Sequence, residues 1–264
     1  VLDLSLAERG GARAAGAGVA TLGPVQLVGS ALYETSDGYV PVRGDAAGAA
    51  DTALDLEVKS AALRADVPVG AATVSFRAST FEEERGSGLA GARATASGNS
   101  LSVTAATAPM TDRPGWRLQA WRRESDLANT SVAVSADRAT TTPANDQFET
   151  PATGWGVNAA LRGVEDVGSG GRLEWEVGAD ARLAKGETRE RFRYMNGAFT
   201  RDRIAGGETT VAGLYGDGSW TSGPWLVAGG LRYDRWSTSN GRRFERDRAT
   251  GLPTLDETCL LYTS

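Results

Sequence analysis

The sequence predicts an all-β chain: an antiparallel up-and-down transmembrane β-barrel, of which about eleven strands are present. Three observations carry this expectation. Segments of about 9 to 14 residues alternate apolar and polar side chains, the period of two that a strand imposes. Such segments recur along most of the 264 residues. The connections between them are short and long by turns, so an antiparallel meander would gather the short turns at one rim and the long loops at the other.

The clearest element is 172–185. Leu173, Trp175, Val177, Ala179, Ala181 and Leu183 alternate there with Glu174, Glu176, Gly178, Asp180 and Arg182. Strands are expected in order over 1–9, 12–22, 25–34, 54–66, 72–81, 99–107, 116–127, 154–163, 172–185, 209–221 and 225–238. Alternation is equally clean in 25–34, 72–81 and 225–233, and muddled near 58–66 and in 209–221. The short connections carry Gly or Pro: Leu22-Gly23-Pro24, Pro68 to Ala71, Ala108 to Gly115, Val164 to Gly171, and Ser222-Gly223-Pro224. Long loops are expected over 35–53, 82–98, 128–153, 186–208 and from 239 onward. The tight Gly10-Gly11 turn is the exception at the long-loop rim.

Aromatic residues fit two interfacial girdles: Trp116, Trp220 and Trp225 near short turns, and Tyr33, Phe81, Trp155, Tyr233 and Trp236 near the long-loop ends. The alternative is aromatic packing in a soluble core. Leu173, Trp175, Val177 and Leu183 are expected on the outer side, with Glu174, Glu176 and Arg182 turned inward. Lipid tolerates no free strand edge, so eleven strands imply a larger closed sheet. Alone in water, such a ladder is expected to aggregate through its edges and apolar face.

Composition narrows the function. Mean hydropathy is -0.29, and no apolar run approaches the 18 residues of a transmembrane helix. Barrels need none. Histidine is absent and cysteine occurs once, which removes histidine-based metal sites, histidine acid–base chemistry and any intrachain disulfide. No cofactor is implied. A net charge of -5 argues against nucleic acid as a partner. The first residues already read as a strand, so a secretory signal is expected upstream. Residues 259–264, Cys-Leu-Leu-Tyr-Thr-Ser, resemble a translated sequencing adapter and are expected to be a non-native tail; the alternative is a genuine short apolar segment. The barrel portion is accordingly 1–258.

A family resemblance enters at the loops. Tyr33 to Val42, followed by Arg43-Gly44 and Ala49-Ala50-Asp51-Thr52, resembles the early barrel of TonB-dependent outer-membrane receptors. Phe81 to Gly88 is similar to a strand of those receptors that opens into an extracellular loop. Gly186 to Phe192 and Arg201 to Glu208 are similar to a later loop. The resemblance spans about residues 1–250. It implies a 22-stranded barrel around an N-terminal plug, in the outer membrane of a Gram-negative bacterium. It implies import of a ferric siderophore or similar bulky nutrient, powered by TonB–ExbB–ExbD. The plug, the TonB box and about half the strands are not in this sequence, so transport belongs to the presumed parent.

The loops supply candidate ligand-binding residues: Tyr39, Arg43, Glu84, Arg85, Arg189, Arg191, Arg193, Tyr194, Arg201 and Arg203. Arginines beside aromatic rings suit an anionic, partly planar ferric chelate, through charge-assisted bonds and stacking. Against this stands a solvated loop whose charges pair locally. Arg77, Arg162, Glu174, Glu176, Asp180 and Arg182 are expected to line the lumen and meet a plug, or simply to keep the lumen wet. Glu174 and Glu176 share a face about 7 Å apart, a spacing too common on strands to mark a hydrolase. No catalytic constellation or metal site is present. The rival readings are a passive porin or autotransporter barrel, and a soluble extracellular β-rich binding domain. The last would bury one face of every strand against a second sheet.

Overall fold

The computed structural model describes residues 1–168 and 170–259. The strands are β1 (Leu2–Ala7), β2 (Gly11–Leu22), β3 (Val25–Ser36), β4 (Leu56–Val69), β5 (Ala72–Gly86), β6 (Arg93–Ala106) and β7 (Gly115–Val134). They continue as β8 (Thr141–Glu149), β9 (Ala152–Val167), β10 (Gly171–Met195), β11 (Ala198–Ser222), β12 (Trp225–Asp247) and β13 (Pro253–Cys259). All thirteen form one antiparallel sheet in chain order. β8 and β9 are two halves of one stave, each pairing with β7 and β10. The break falls at Thr150–Pro151, because proline has no N–H for the ladder. The Pro151 carbonyl still accepts the Glu187 N–H at 3.1 Å.

Local chemistry explains the turns. Gly23–Pro24, Gly70–Ala71 and Gly223–Pro224 are two-residue hairpins whose first residue has positive φ, the position where a two-residue turn with the strands' own twist favours glycine. At the other rim lie the connections 37–55, 87–92, 135–140, 196–197 and 248–252. The expected antiparallel meander is therefore observed, with the longest connection, 37–55, at this rim, although 107–114 at the opposite rim is longer than the rest.

Two expected loops are instead strand. Residues 128–153 are mostly the upper part of β7 and all of β8, leaving only 135–140 as a connection. Residues 186–208 extend β10 and β11 to a two-residue turn, Asn196–Gly197, with positive φ at both positions. Asn-Gly between strand residues is a strong hairpin signal; charge density had masked it. β13 also lies where a loop was expected. Cys259 ends that strand opposite Gly241; the rest of the suspected tail, 260–264, lies outside the described residues.

Parity sorts the two faces. Pairing places Leu63, Ala78, Leu101, Arg122, Trp155, Leu183 and Thr210 side by side, with Ala65, Phe76, Val103, Ala120, Val157 and Ala181 in the adjoining row. This apolar face is open: Leu101 is 57% exposed, Leu161 49% and Val177 48%. Leu173 and Trp175 share the face but are half-buried, Trp175 because its indole lies across Gly163 of β9. Among the described residues the only buried apolar side chains are Ala50, Ala92 and Ala160, and the backbone of each strand packs only against its ladder neighbours. No second layer covers the apolar face.

The polar face turns inward. Arg117 on β7 reaches Glu176 on β10 (3.1 Å) and Tyr215 on β11 (3.4 Å), two and three strands away. Arg232 on β12 reaches Asp180 on β10 at 2.7 Å. A sheet curled with this face inside brings such residues together. Arg77, Arg162, Glu174, Glu176, Asp180 and Arg182 all share it. Two girdle expectations are corrected: Phe81 and Trp236 also face inward, in parity with Arg77 and Arg232. Position along a strand had suggested the girdle, but parity decides the face.

Inward glycines make room for rings. The Trp121 indole lies over Gly156, so a methyl group there would fall inside the ring. Gly156→Ala is expected to destabilise the sheet by about 1–3 kcal/mol in denaturant unfolding and to shift tryptophan emission. Gly18→Ala, with open space around its Cβ, serves as the near-neutral control. Equal effects of the two would contradict the packing.

Candidate functional site

The rim carrying the 37–55 connection and the tall hairpins is the candidate site. β10 has an apolar outward stripe from Leu173 to Leu183, about the length a tilted strand needs to cross a bilayer. It then continues to Met195, about 40 Å further at strand rise. β7, β8, β11 and β12 rise with it. The site is thus a wall of tall hairpins beside a cluster of loops.

Strand parity divides the candidate arginines. Arg189 and Arg191 face outward with Leu183; Arg201 and Arg203 face inward with Arg182. Outside, Arg189 is bound by Glu149 and Glu187. Arg191 is bound by Asp146 at 2.9 Å and stacks 4.4 Å from the Phe148 ring. Inside, Arg201 is bound by Asp247, and Arg203 by Glu190 and Glu245. Arg203 also lies 4.6 Å over the Phe192 ring, and Arg243 joins the group through Glu245 at 2.6 Å. The inward patch therefore holds three guanidinium groups and three carboxylates beside the half-buried Phe192 ring. Local pairing is the state the wall adopts by itself.

The other candidates are scattered. Tyr194 packs edge-on against Phe199 at 5.2 Å, and exposed Arg193 adopts a positive φ just before the turn. Tyr39 sits in the first loop, with Arg9 5.5 Å over its ring. Arg43 is exposed and precedes a single 3₁₀ turn, Gly44–Ala46. Glu84 faces outward on β5, while Arg85 faces inward and pairs with Glu83 at 3.2 Å.

The tightest element at this rim is a pair that sequence reading did not assemble. Asp51, whose side chain is only 1% exposed, is bound in two-pronged fashion by Arg138, 87 residues away. The Gly48 N–H donates to the same carboxylate at 2.8 Å. Ala50 N–H donates to the Arg138 carbonyl (2.9 Å), and Ala90 N–H to the Ala50 carbonyl (2.8 Å). Thr141 Oγ1 donates to the Ala90 carbonyl at 2.9 Å. Loops 37–55, 87–92 and 135–140 are thereby joined. Gly48 is required, because a Cβ there would strike the Arg138 carbonyl. No local motif announces a pair this distant in sequence.

The Arg138 hydrogen bonds, then that of Gly48, hold the Asp51 carboxyl at about 2, below its ordinary 3.8. A depressed carboxyl stabilises the fold above its ordinary value and stops doing so as pH falls through its folded value. Protection of the Ala50, Thr52 and Ala90 amides from hydrogen exchange is thus expected to be constant above about pH 4 and lost toward pH 2. Asp51→Asn is expected to remove it at neutral pH in both loops at once. Loss confined to 37–55 would show that the loops are not joined.

Residues 40–255 match the family described as TonB dependent receptor-like, beta-barrel. No curated protein matches the chain. Among solved structures, the chain is similar to P. aeruginosa FpvA in an iron complex with a heterologous pyoverdine, at 11% identity and a TM-score of 0.71, covering 97% of this chain and 38% of that one. It is similar to the E. coli K12 ferric-catecholate import receptor Fiu, at 12% identity and a TM-score of 0.67, covering 97% and 45%. It is also similar to the ferric citrate transporter FecA, at 12% identity and a TM-score of 0.60, covering 93% and 37%. At these identities the likeness is one of fold, and the chain spans less than half the length of each neighbour. With residues 40–255 matching the family model over a one-layer sheet, apolar outside and polar inside, this chain belongs to the TonB-dependent receptor β-barrel family.

Proposed function

We propose that this chain is wall of an outer-membrane receptor that takes up a ferric siderophore or similarly bulky nutrient in a Gram-negative bacterium. Import would draw on TonB–ExbB–ExbD through a plug region of the parent protein. Residues 1–258 would be part of a barrel of about 22 strands. The observation that carries this reading is the single uncovered layer: an open apolar face about one bilayer tall, beneath hairpins that continue as charged, aromatic-bearing wall. The ligand class is supported by what the neighbours' names state: a pyoverdine–iron complex of FpvA, a ferric citrate transporter and a ferric-catecholate import receptor. Neither a passive pore nor a soluble domain accounts for the family match. Phe192, Arg201 and Arg203 are the candidate ligand contacts, since they face the lumen side of the tall hairpin. Arg189 and Arg191 are not, because they face outward.

The membrane part is tested by unfolding in phospholipid vesicles. Leu161→Arg, at mid-height on the outward face, is expected to cost about 2–4 kcal/mol. Asn158→Arg, close by on the inward face, is expected to cost little. Equal costs would remove the bilayer from the reading. The ligand part is tested by fluorescence quenching with a ferric tris-catecholate on chain refolded in micelles. Phe192→Ala and Arg203→Ala are expected to weaken binding about tenfold, and Arg191→Ala hardly at all. Similar losses in all three would set aside this assignment of the inner face.

A further inference from the structure

Arg122 of β7 stands on the apolar face. It lies opposite Leu101 on β6 and Trp155 on β9, and Trp155 lies opposite Leu183 on β10. β7, β9 and β10 each have both ladder neighbours in this chain. The surroundings of Arg122 on the sheet are therefore complete, and it points away from the side a plug would fill.

The Arg122 guanidinium lies 4.8 Å over the Trp155 ring. One of its amino groups is bound by Glu124, the next outward residue of β7, and its Nε is enclosed without a hydrogen-bond partner. Lys185 is the next outward residue of β10 beyond Leu183. It lies about 10 Å across the sheet from Arg122 and about 7 Å further along the strands. Lys185 is exposed and 3.4 Å from Glu208. Because the apolar stripe of β10 ends at Leu183, both cations stand at its upper edge, where hydrocarbon gives way to headgroups. Just below them the face is hollow. Ala120 and Ala181 leave a depression of 820 Å³, with Trp155 and Leu183 above it and Val103 and Val157 below.

A guanidinium at the edge of hydrocarbon is costly unless its donors are satisfied. Glu124 takes one amino group, but the guanidinium carries five N–H donors and the Lys185 ammonium three. Exposed ion pairs such as these exchange partners at small cost. A phosphate set between Arg122 and Lys185 would accept from both, and the guanidinium fork matches phosphate oxygens. The depression beside it suits a hydrocarbon chain. An anion and a hydrocarbon chain in one molecule make a lipid. We propose that Arg122, Trp155 and Lys185, with the depression at Ala120 and Ala181, dock one anionic, phosphate-bearing lipid of the surrounding bilayer. The site rests on the membrane part of the proposed function. A second copy of the chain fits this face less well. Leu101 and Trp155 stand out of it, 57% and 50% exposed, among small alanines. A flexible hydrocarbon chain follows that relief, and a facing sheet does not.

The test uses the chain refolded in phosphatidylcholine vesicles and titrated with phosphatidylglycerol brominated on its acyl chains, which quenches nearby tryptophans. Brominated phosphatidylcholine is the reference. Expected is saturable quenching at a mole fraction about fivefold lower for phosphatidylglycerol, and Trp155→Phe should remove most of that selective part. Arg122→Gln and Lys185→Gln are each expected to weaken the preference about fivefold. Lys185 is exposed, so its exchange leaves the sheet intact. Ala120→Leu, which fills the depression, is expected to weaken binding by a similar factor, and Arg191→Gln, outward but higher on the wall, by less than about twofold. Equal quenching by the two lipids, an equal loss in Arg191→Gln, or full binding in Ala120→Leu would overturn the site. So would a dimer in micelles that Ala120→Leu dissolves, since it would assign the face to a second copy. Insertion is read separately by Leu161→Arg and Asn158→Arg, so a chain that inserts without lipid preference loses this site alone.

Discussion

The backbone hydrogen-bond ladder is the interaction on which this molecule depends. A globular domain derives its shape from a buried apolar core. Here three alanines are the only buried apolar side chains among the described residues. Shape comes instead from ladders such as β10–β11, paired from Gly171–Ser222 to Met195–Ala198. In hydrocarbon every unpaired N–H or C=O is expensive, so such a wall must pair continuously. Even the proline break in the β8–β9 stave keeps a carbonyl bonded to β10.

Given the ladder, side-chain bulk decides what each face can hold. Inward rings lie flat where the neighbouring strand offers glycine: Phe81 beside Gly98, Trp121 over Gly156, Tyr215 over Gly178. Outward, Trp175 lies over Gly163 in the same way. Each pair substitutes ring-on-backbone contact for the packing a core would have supplied, and on the inner face it keeps the lumen from filling.

Charge on this wall is largely self-neutralised. Every guanidinium of the inward hairpin patch has a carboxylate, so arginine number by itself does not measure affinity for anions. Exposed ion pairs contribute little stability each, and a ligand can exchange for them at small cost. The Asp51–Arg138 pair differs because its carboxylate is enclosed and also bonded to backbone. It makes one body of three loops, whereas the β10–β11 hairpin stands on its own ladder.

Alternation alone determined that the chain is a meander of two-faced strands, which residues share a face, and where glycine and proline turn the short rim. These are nearest-neighbour properties: a strand's period is two, and a two-residue turn demands particular φ values. They sufficed to place Arg77, Arg162, Glu174, Glu176, Asp180 and Arg182 on one face. The height of the hairpins was less legible, because beyond the apolar band both faces are polar and the alternation that marks a strand disappears. Residues 186–208 read as loop for that reason, although Asn196–Gly197 held the signal. Only the tertiary structure decided that Arg191 and Arg203 point to opposite sides and that Asp51 finds Arg138. Those relations depend on the register between strands and on the curl of the whole sheet, which bring together residues that no local spacing connects.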